Sequence, residues 1–174
     1  MIAADFKERA ARIRLIGFDV DGVLTDGRLI YGEQHESKAF HARDGMGLRM
    51  LQLAGIRCVV VSARAGDATV RRMRELGIDD VALGAHKKLP AFEAILANAG
   101  VAFDEAAFMG DDVPDLPILR RVGLAVTVSE ASEAIASTCQ FVATRPAGMG
   151  AVREFVDAFL LARGELAAVI ERAL

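Results

Sequence analysis

No apolar run in this chain is long enough to cross a bilayer. There is also no large excess of either charge: 21 basic and 24 acidic side chains leave a formal net charge of -3. The first absence argues against a transmembrane helix. The second removes the broad electrostatic pull that draws proteins to nucleic acid or anionic lipid. Cysteine is scarce. Cys58 and Cys139 both sit in apolar, strand-like runs and read as buried, reduced thiols. The three histidines, His35, His41 and His86, show no metal-binding spacing, so surface or hydrogen-bonding roles are expected. Aromatics are few, and no internal repeat, linker or low-complexity tract interrupts the chain. The opening MIAADFKERAARIR is charged and helix-like, without the apolar core and cleavage pattern of a signal peptide, so a cytoplasmic protein is expected. What is present is 174 residues of ordinary globular composition, rich in alanine. That length suits a single domain over residues 1-174 with a substantial core.

The hydrophobic pattern alternates strand and helix. An apolar run, Leu15 to Phe18, leads into Asp19 and Asp21. Leu29 to Tyr31 and Lys38 to His41 look like hairpin arms, with Gly32 and Glu33 at the turn. GMGLRMLQLAG is helical and stops at Gly55, and Ile56 to Val61 is a buried strand. Asp67 to Leu76 is a basic amphipathic helix, Val81 to Leu83 a short strand, and Leu89 to Ala99 a helix. Ala106 to Met109 is a strand ending in GDD, and Pro114 to Val122 a helix with proline in its first turn. LAVTV, FVAT and one long helix from Gly150 onward complete the chain. This order predicts an α/β, Rossmann-like, mostly parallel sheet with helices on both faces and a short β-hairpin after the first strand. Ligands of such sheets bind beyond the carboxyl ends of the strands. The polar residues collect there: Asp19 and Asp21 after the first strand, Ser62 to Arg64 after the second, His86 to Lys88 after the third, and Gly110 to Asp112 after the fourth.

Four aspartates in one crevice repel one another unless a hard dication relieves them, and Mg²⁺ prefers one or two carboxylates, waters and a phosphate oxygen. The acidic cluster therefore implies a metal, and the metal an anionic ligand, most simply a phosphate. Lys87 or Lys88 would neutralise further charge on it. Ser62 and the Ala63 N–H would donate to its oxygens. An aspartate attacking phosphorus would give an aspartyl-phosphate. The second, two residues on, would protonate the departing oxygen and then deprotonate water. The residues alone do not assign these parts between Asp19 and Asp21. Asp112 either caps the following helix or touches the metal. Asp115 reads as a first-turn dipole partner or a supporting group rather than a ligand. Thr25 and Asp26 shape the turn.

FDVDGVLTDG, VSAR, the lysine of HKKLPAF and MGDDVPD resemble, in order and spacing, the four motifs of the haloacid dehalogenase phosphatases. The resemblance implies Asp19 as nucleophile and Asp21 as acid/base, its carbonyl also binding metal. It implies Ser62 and Lys88 as phosphate ligands. It implies a Mg²⁺ site formed by Asp19, Asp21 and Asp111. Lys88 is preferred to Lys87 because the family's lysine precedes a helix with leucine beside it, as in KLPAF. No interval between motifs is long enough for a cap domain. DGVLTDGRLIYGEQHESKAFHARDGMGLRML and RPAGMGAVREFVD are similar to the family of capless phosphatases acting on 3-deoxy-D-manno-octulosonate 8-phosphate. That similarity implies a sugar-acid phosphate substrate and a role in lipopolysaccharide synthesis. It also implies a homotetramer whose hairpins form a shared barrel, with a tail from one subunit reaching the next subunit's site. Arg43, Arg64 and Lys38 are the implied substrate contacts. Ala63 and Ala147 stand where the family favours glycine. Relatives acting on nine-carbon sugar-acid phosphates, a generic capless phosphatase and a catalytically silent assembly subunit are the alternatives. A phospho-receiver would place adjacent acids after its first strand and its phosphorylated aspartate after the third. A phosphomutase would need a cap.

Overall fold

The structure, a computed structural model, describes residues 4–33 and 36–174. His35 lies outside the described residues. Six strands form one sheet in the order β5-β4-β1-β6-β7-β8, every adjacent pair parallel. They are β1 (Leu15–Phe18), β4 (Arg57–Val61), β5 (Val81–Ala82), β6 (Ala106–Met109), β7 (Leu124–Thr127) and β8 (Phe141–Val142). The central strands are apolar throughout because both sheet faces are covered. Ile16, Phe18, Cys58, Val60, Ala107 and Met109 point into one core, and Leu15, Val59, Val61, Ala106 and Phe108 into the other.

The first core is closed by α1 (Ala4–Arg12), α2 (Ala42–Leu53), α3 (Asp67–Leu76), α7 (Ala151–Ala162) and α8 (Leu166–Ala173). The second is closed by α4 (Lys88–Ala99), α5 (Leu116–Leu119) and α6 (Glu133–Ala136). The first core is the larger, and α7 is its keystone: Phe155, Val156, Phe159 and Leu160 are fully buried. Just past α7, the Arg163 guanidinium donates to the carbonyls of Ala10, Ala11 and Ile13. It thereby satisfies the free carbonyls at the end of α1.

Three local expectations are corrected. The hairpin pairs β2 (Ile30–Tyr31) with β3 (Glu36–Ser37), so its return arm precedes Lys38–His41. The expected helix from Pro114 is a 3-10 turn, Val113–Asp115, followed by the single turn of α5. The long final helix is two, broken where Gly164 takes a left-handed conformation (φ 72). The short helix α6 carried too little periodicity to be read. Between β1 and α2 the described residues hold only the two-stranded ribbon, and between β4 and α4 only α3 and β5, so there is no cap domain.

Strand order positions the site. From β1 the chain winds outward to β4 and β5, then returns to the other side of β1 for β6, β7 and β8. This reversal marks the carboxyl ends of β1, β4 and β6 as the usual ligand position in such sheets.

Candidate active site

Registration puts the motifs side by side. Phe18 pairs with Val60 of β4 and Met109 of β6, so Asp19, Ser62 and Asp111 lie one or two residues past aligned positions on adjacent strands. The Asp19 N–H donates to the Met109 carbonyl, extending the ladder to the catalytic edge. The chain then makes a tight turn over Val20–Leu24, with Gly22 at φ 91. A side chain at Gly22 would collide with the Asp111 carboxylate. Glycine is thus required there both for the left-handed backbone and for the approach of Asp111.

Lys88 is the hub. Its ammonium lies 2.8 Å from Asp19 Oδ1 and 2.7 Å from Asp115 Oδ1, and only 4% of the residue is exposed. Lys87 is exposed. Asp115 is fully buried, and its Oδ2 accepts from the backbone N–H groups of Asp111 (3.1 Å) and Asp112 (3.4 Å). It therefore positions both the lysine and the β6 loop. Asp112 caps the 3-10 turn, accepting from the Val113 N–H at 2.8 Å, and its side chain faces solvent. Of the two roles open to Asp112, the structure shows the cap. Ser62 is buried at the end of β4, its Oγ accepting from the Arg64 N–H at 3.2 Å.

The electrostatics are those of a cation site. Carboxylate oxygens of Asp19, Asp111 and Asp115 lie within 4.8 Å of one another. With Lys88 these three acids leave two uncompensated negative charges, which one dication would balance. Burial first, then Asp115, pushes the Asp19 carboxyl up, against the pull of Lys88. Burial, then Asp19 and Asp115, pushes Asp111 up as well. Burial alone would depress the Lys88 ammonium, but its two carboxylates more than reverse that. Asp111 Oδ1 and Asp21 Oδ2 are buried without a hydrogen-bond partner. An all-oxygen donor set with an orphaned buried carboxylate oxygen fits a hard divalent ion.

Asp21 faces a second group of charges. Lys38 pairs with Asp21 Oδ1 and lies 3.2 Å from Glu36 Oε1. Arg64 pairs with Glu36 Oε2, and its Nε lies 3.9 Å from Asp21 Oδ2. Two of the three implied substrate contacts, Lys38 and Arg64, thus converge beside Asp21. Arg43 is not brought there. It lines a separate cavity of about 400 Å³ with Arg145 and Arg153. Glu36 went unread in the sequence, where the polar run GEQHESK offered no spacing signal. Asp44 was missed too, since a lone aspartate in a helix's first turn usually faces solvent.

Arg145–Gly150 is no free tail. It links β8 to α7 and is pinned within its own subunit. Glu154 accepts from the N–H groups of Thr144 and Arg145, Glu130 from that of Ala147, and buried Asp44 from those of Gly150 and Arg153. Gly148 donates to the Val23 carbonyl, 3.2 Å away, and lies so close to Thr25 and Asp26 that no side chain fits. Within one subunit this segment therefore rests on the turn that follows β1. Ala63 and Ala147 cause no strain, because no non-glycine among the described residues has positive φ.

Comparison with known proteins gives the family. A family model for haloacid dehalogenase-like hydrolases matches residues 80–155. The chain is 37% identical over 166 residues to 3-deoxy-D-manno-octulosonate 8-phosphate phosphatase KdsC of Escherichia coli K12, an alignment covering 95% of this chain and 88% of that protein. Its fold matches that of the Moraxella catarrhalis enzyme of the same name, crystallised with magnesium, phosphate and KDO (TM-score 0.93, 33% identity, 98% of both chains). It also matches the cobalt-bound Haemophilus influenzae enzyme (TM-score 0.89, 37% identity, 92% of this chain and 94% of that one). With such identity along nearly its whole length, the chain belongs to the 3-deoxy-D-manno-octulosonate 8-phosphate phosphatase family of the haloacid dehalogenase-like hydrolases.

Proposed function

We propose that this protein hydrolyses 3-deoxy-D-manno-octulosonate 8-phosphate to the free sugar acid and phosphate, using Mg²⁺. The observation that carries the reading is the Asp19 carboxylate, bonded to buried Lys88 at the reversal of strand order. Asp19 attacks phosphorus and the phosphorus–oxygen bond to the sugar breaks. Asp21, two residues on, gives its proton to the departing sugar oxygen. Water, deprotonated by Asp21, then attacks the aspartyl-phosphate, releasing phosphate and restoring Asp19. Lys88 and Ser62 hold the phosphoryl oxygens. Asp115 keeps Lys88 aimed. Asp19, the Asp21 carbonyl and Asp111 would hold the metal, which supplies charge neutralisation for a transferring phosphoryl group. Lys38 and Arg64 take the sugar acid, and Arg43 borders it only if a second subunit closes the site.

The exposed ribbon supports assembly. Leu29, Ile30 and Tyr31 are 40%, 53% and 71% exposed, whereas Phe40 packs against the main core. A two-stranded ribbon is marginal alone and invites pairing. We infer a homotetramer of single-domain subunits built on these ribbons, working in the cytoplasm for lipopolysaccharide synthesis. The test is phosphate release across a panel of sugar phosphates, including eight- and nine-carbon keto-acid phosphates, with Mg²⁺ and after chelation. Selective, metal-dependent turnover of the eight-carbon substrate is expected. Selectivity for a nine-carbon acid, or uniform weak turnover, would replace the substrate. Full activity after chelation would remove the metal.

A further inference from the structure

We propose that Glu36 is a specificity-determining residue: its side chain fills a carboxylate cradle, made by Lys38 and Arg64, that the substrate's own carboxylate takes over. The inference rests on the functional reading above. Four charges alternate around the mouth of the site. Lys38 lies between Asp21 and Glu36, and Arg64 between Glu36 and Asp21. The Lys38 side chain is only 3% exposed, so its ammonium is committed to these partners rather than to water. Glu36 offers one oxygen to the ammonium and the other to the guanidinium. This is how a planar carboxylate is recognised by an arginine and a second cation. The Arg64 hydrogen bond outweighs Glu36's partial burial and, helped by Lys38, holds its carboxyl below the usual range, so Glu36 fills the cradle as an anion.

Lys38 and Arg64 already balance the charges of Asp21 and Glu36, so a third carboxylate would bring an uncompensated negative charge. Beside Asp21, an incoming sugar acid gains Lys38 and Arg64 only by displacing Glu36. The displacement is feasible because Glu36 sits on the two-residue strand β3, outside both cores. A sugar phosphate without a carboxylate has nothing to exchange for Glu36 and leaves the ring closed. After hydrolysis Glu36 returns and competes the product acid off. Glu36 thus acts as an internal competitor for carboxylates alone, and it sets how tightly they bind.

The test compares Glu36→Gln with wild type on 3-deoxy-D-manno-octulosonate 8-phosphate and on D-arabinose 5-phosphate, a sugar phosphate with no carboxylate. The ratio of the two kcat/KM values should rise in the variant through a lower KM for the sugar acid. The rise would be about tenfold if the cradle is open about one-tenth of the time in wild type. Inhibition by the product sugar acid should tighten in parallel. Glu36→Ala should act in the same direction. An unchanged or lower ratio in both variants, with wild type still preferring the sugar acid, would overturn the role of Glu36 alone. A wild-type enzyme with no such preference would overturn the substrate reading, and this inference with it.

Discussion

A single ammonium governs the energetics of the catalytic pocket. Lys88 is shared by Asp19 and Asp115 with almost no access to water. Removing one partner of such a buried cluster leaves uncompensated charge. Lys88→Met is therefore expected to cost about 3–5 kcal/mol in urea unfolding as well as activity. Asp19→Asn keeps the shape and leaves Lys88 its Asp115 partner. Its fold, followed by circular dichroism, should persist while turnover falls by at least about a thousandfold, because the variant lacks the proposed nucleophile. Near-normal turnover would end the covalent mechanism. The thiols behave differently. Burial pushes Cys58 up to about 12. Burial, opposed by a Thr138 hydrogen bond, pushes Cys139 up to about 11. Native protein should react slowly with a thiol-specific reagent at neutral pH, and both cysteines should react at once after denaturation.

Among the elements, α7 depends on a residue 106 positions away. Its first turn has no cap of its own, and Asp44 of α2 accepts from Gly150 and Arg153 instead. Asp44→Ala leaves these N–H groups unpaired inside the fold and is expected to cost about 2 kcal/mol. For a chain of this size that lowers Tm by about 4–8 °C, readable by calorimetry. It should also lower kcat, because the segment it anchors supports the catalytic turn through Gly148. This cap shows where the sequence stops being legible. β1, β4, β6, α2, α3 and α4 could be read because each carries its signal locally, the strands as apolar runs and the helices as patterns closed by Gly55, Gly77 and Gly100. Asp19, Ser62, Lys88 and Asp111 could be placed because a parallel sheet delivers strand ends to one edge. Asp44 acts on Gly150 and Arg153, and Glu36 on Arg64 as well as on nearby Lys38, and no local pattern announces the distant members of such pairs. The α7–α8 break escaped for the opposite reason: alanine and leucine continue the helical signal on both sides of Gly164, and only its left-handed backbone ends it.

At the scale of the molecule, the uncovered ribbon and the open crevice point the same way. Light scattering should give a mass near four times 18.6 kDa. Placing aspartates at Ile30 and Tyr31 together should yield smaller species that keep metal-dependent hydrolysis of simple phosphates but lose preference for the sugar acid. A fully selective monomer would place all specificity within one subunit.

The grip of Arg163 on the end of α1 has a consequence for how the protein is made. Synthesis delivers α1 well before α7, yet the two share one core, and Arg163 just past α7 is tied to α1 by those three carbonyls. Until α7 and α8 leave the ribosome, the core on one face of β1, β4 and β6 lacks two of its five helices, and Arg163 is not there to fasten the end of α1. The first core is therefore completed only after α7 and α8 have been synthesised. A nascent chain stopped near Val142 carries all four motifs and still exposes the apolar surface that α7 and α8 cover, the kind of surface that chaperones bind and that aggregates when they do not.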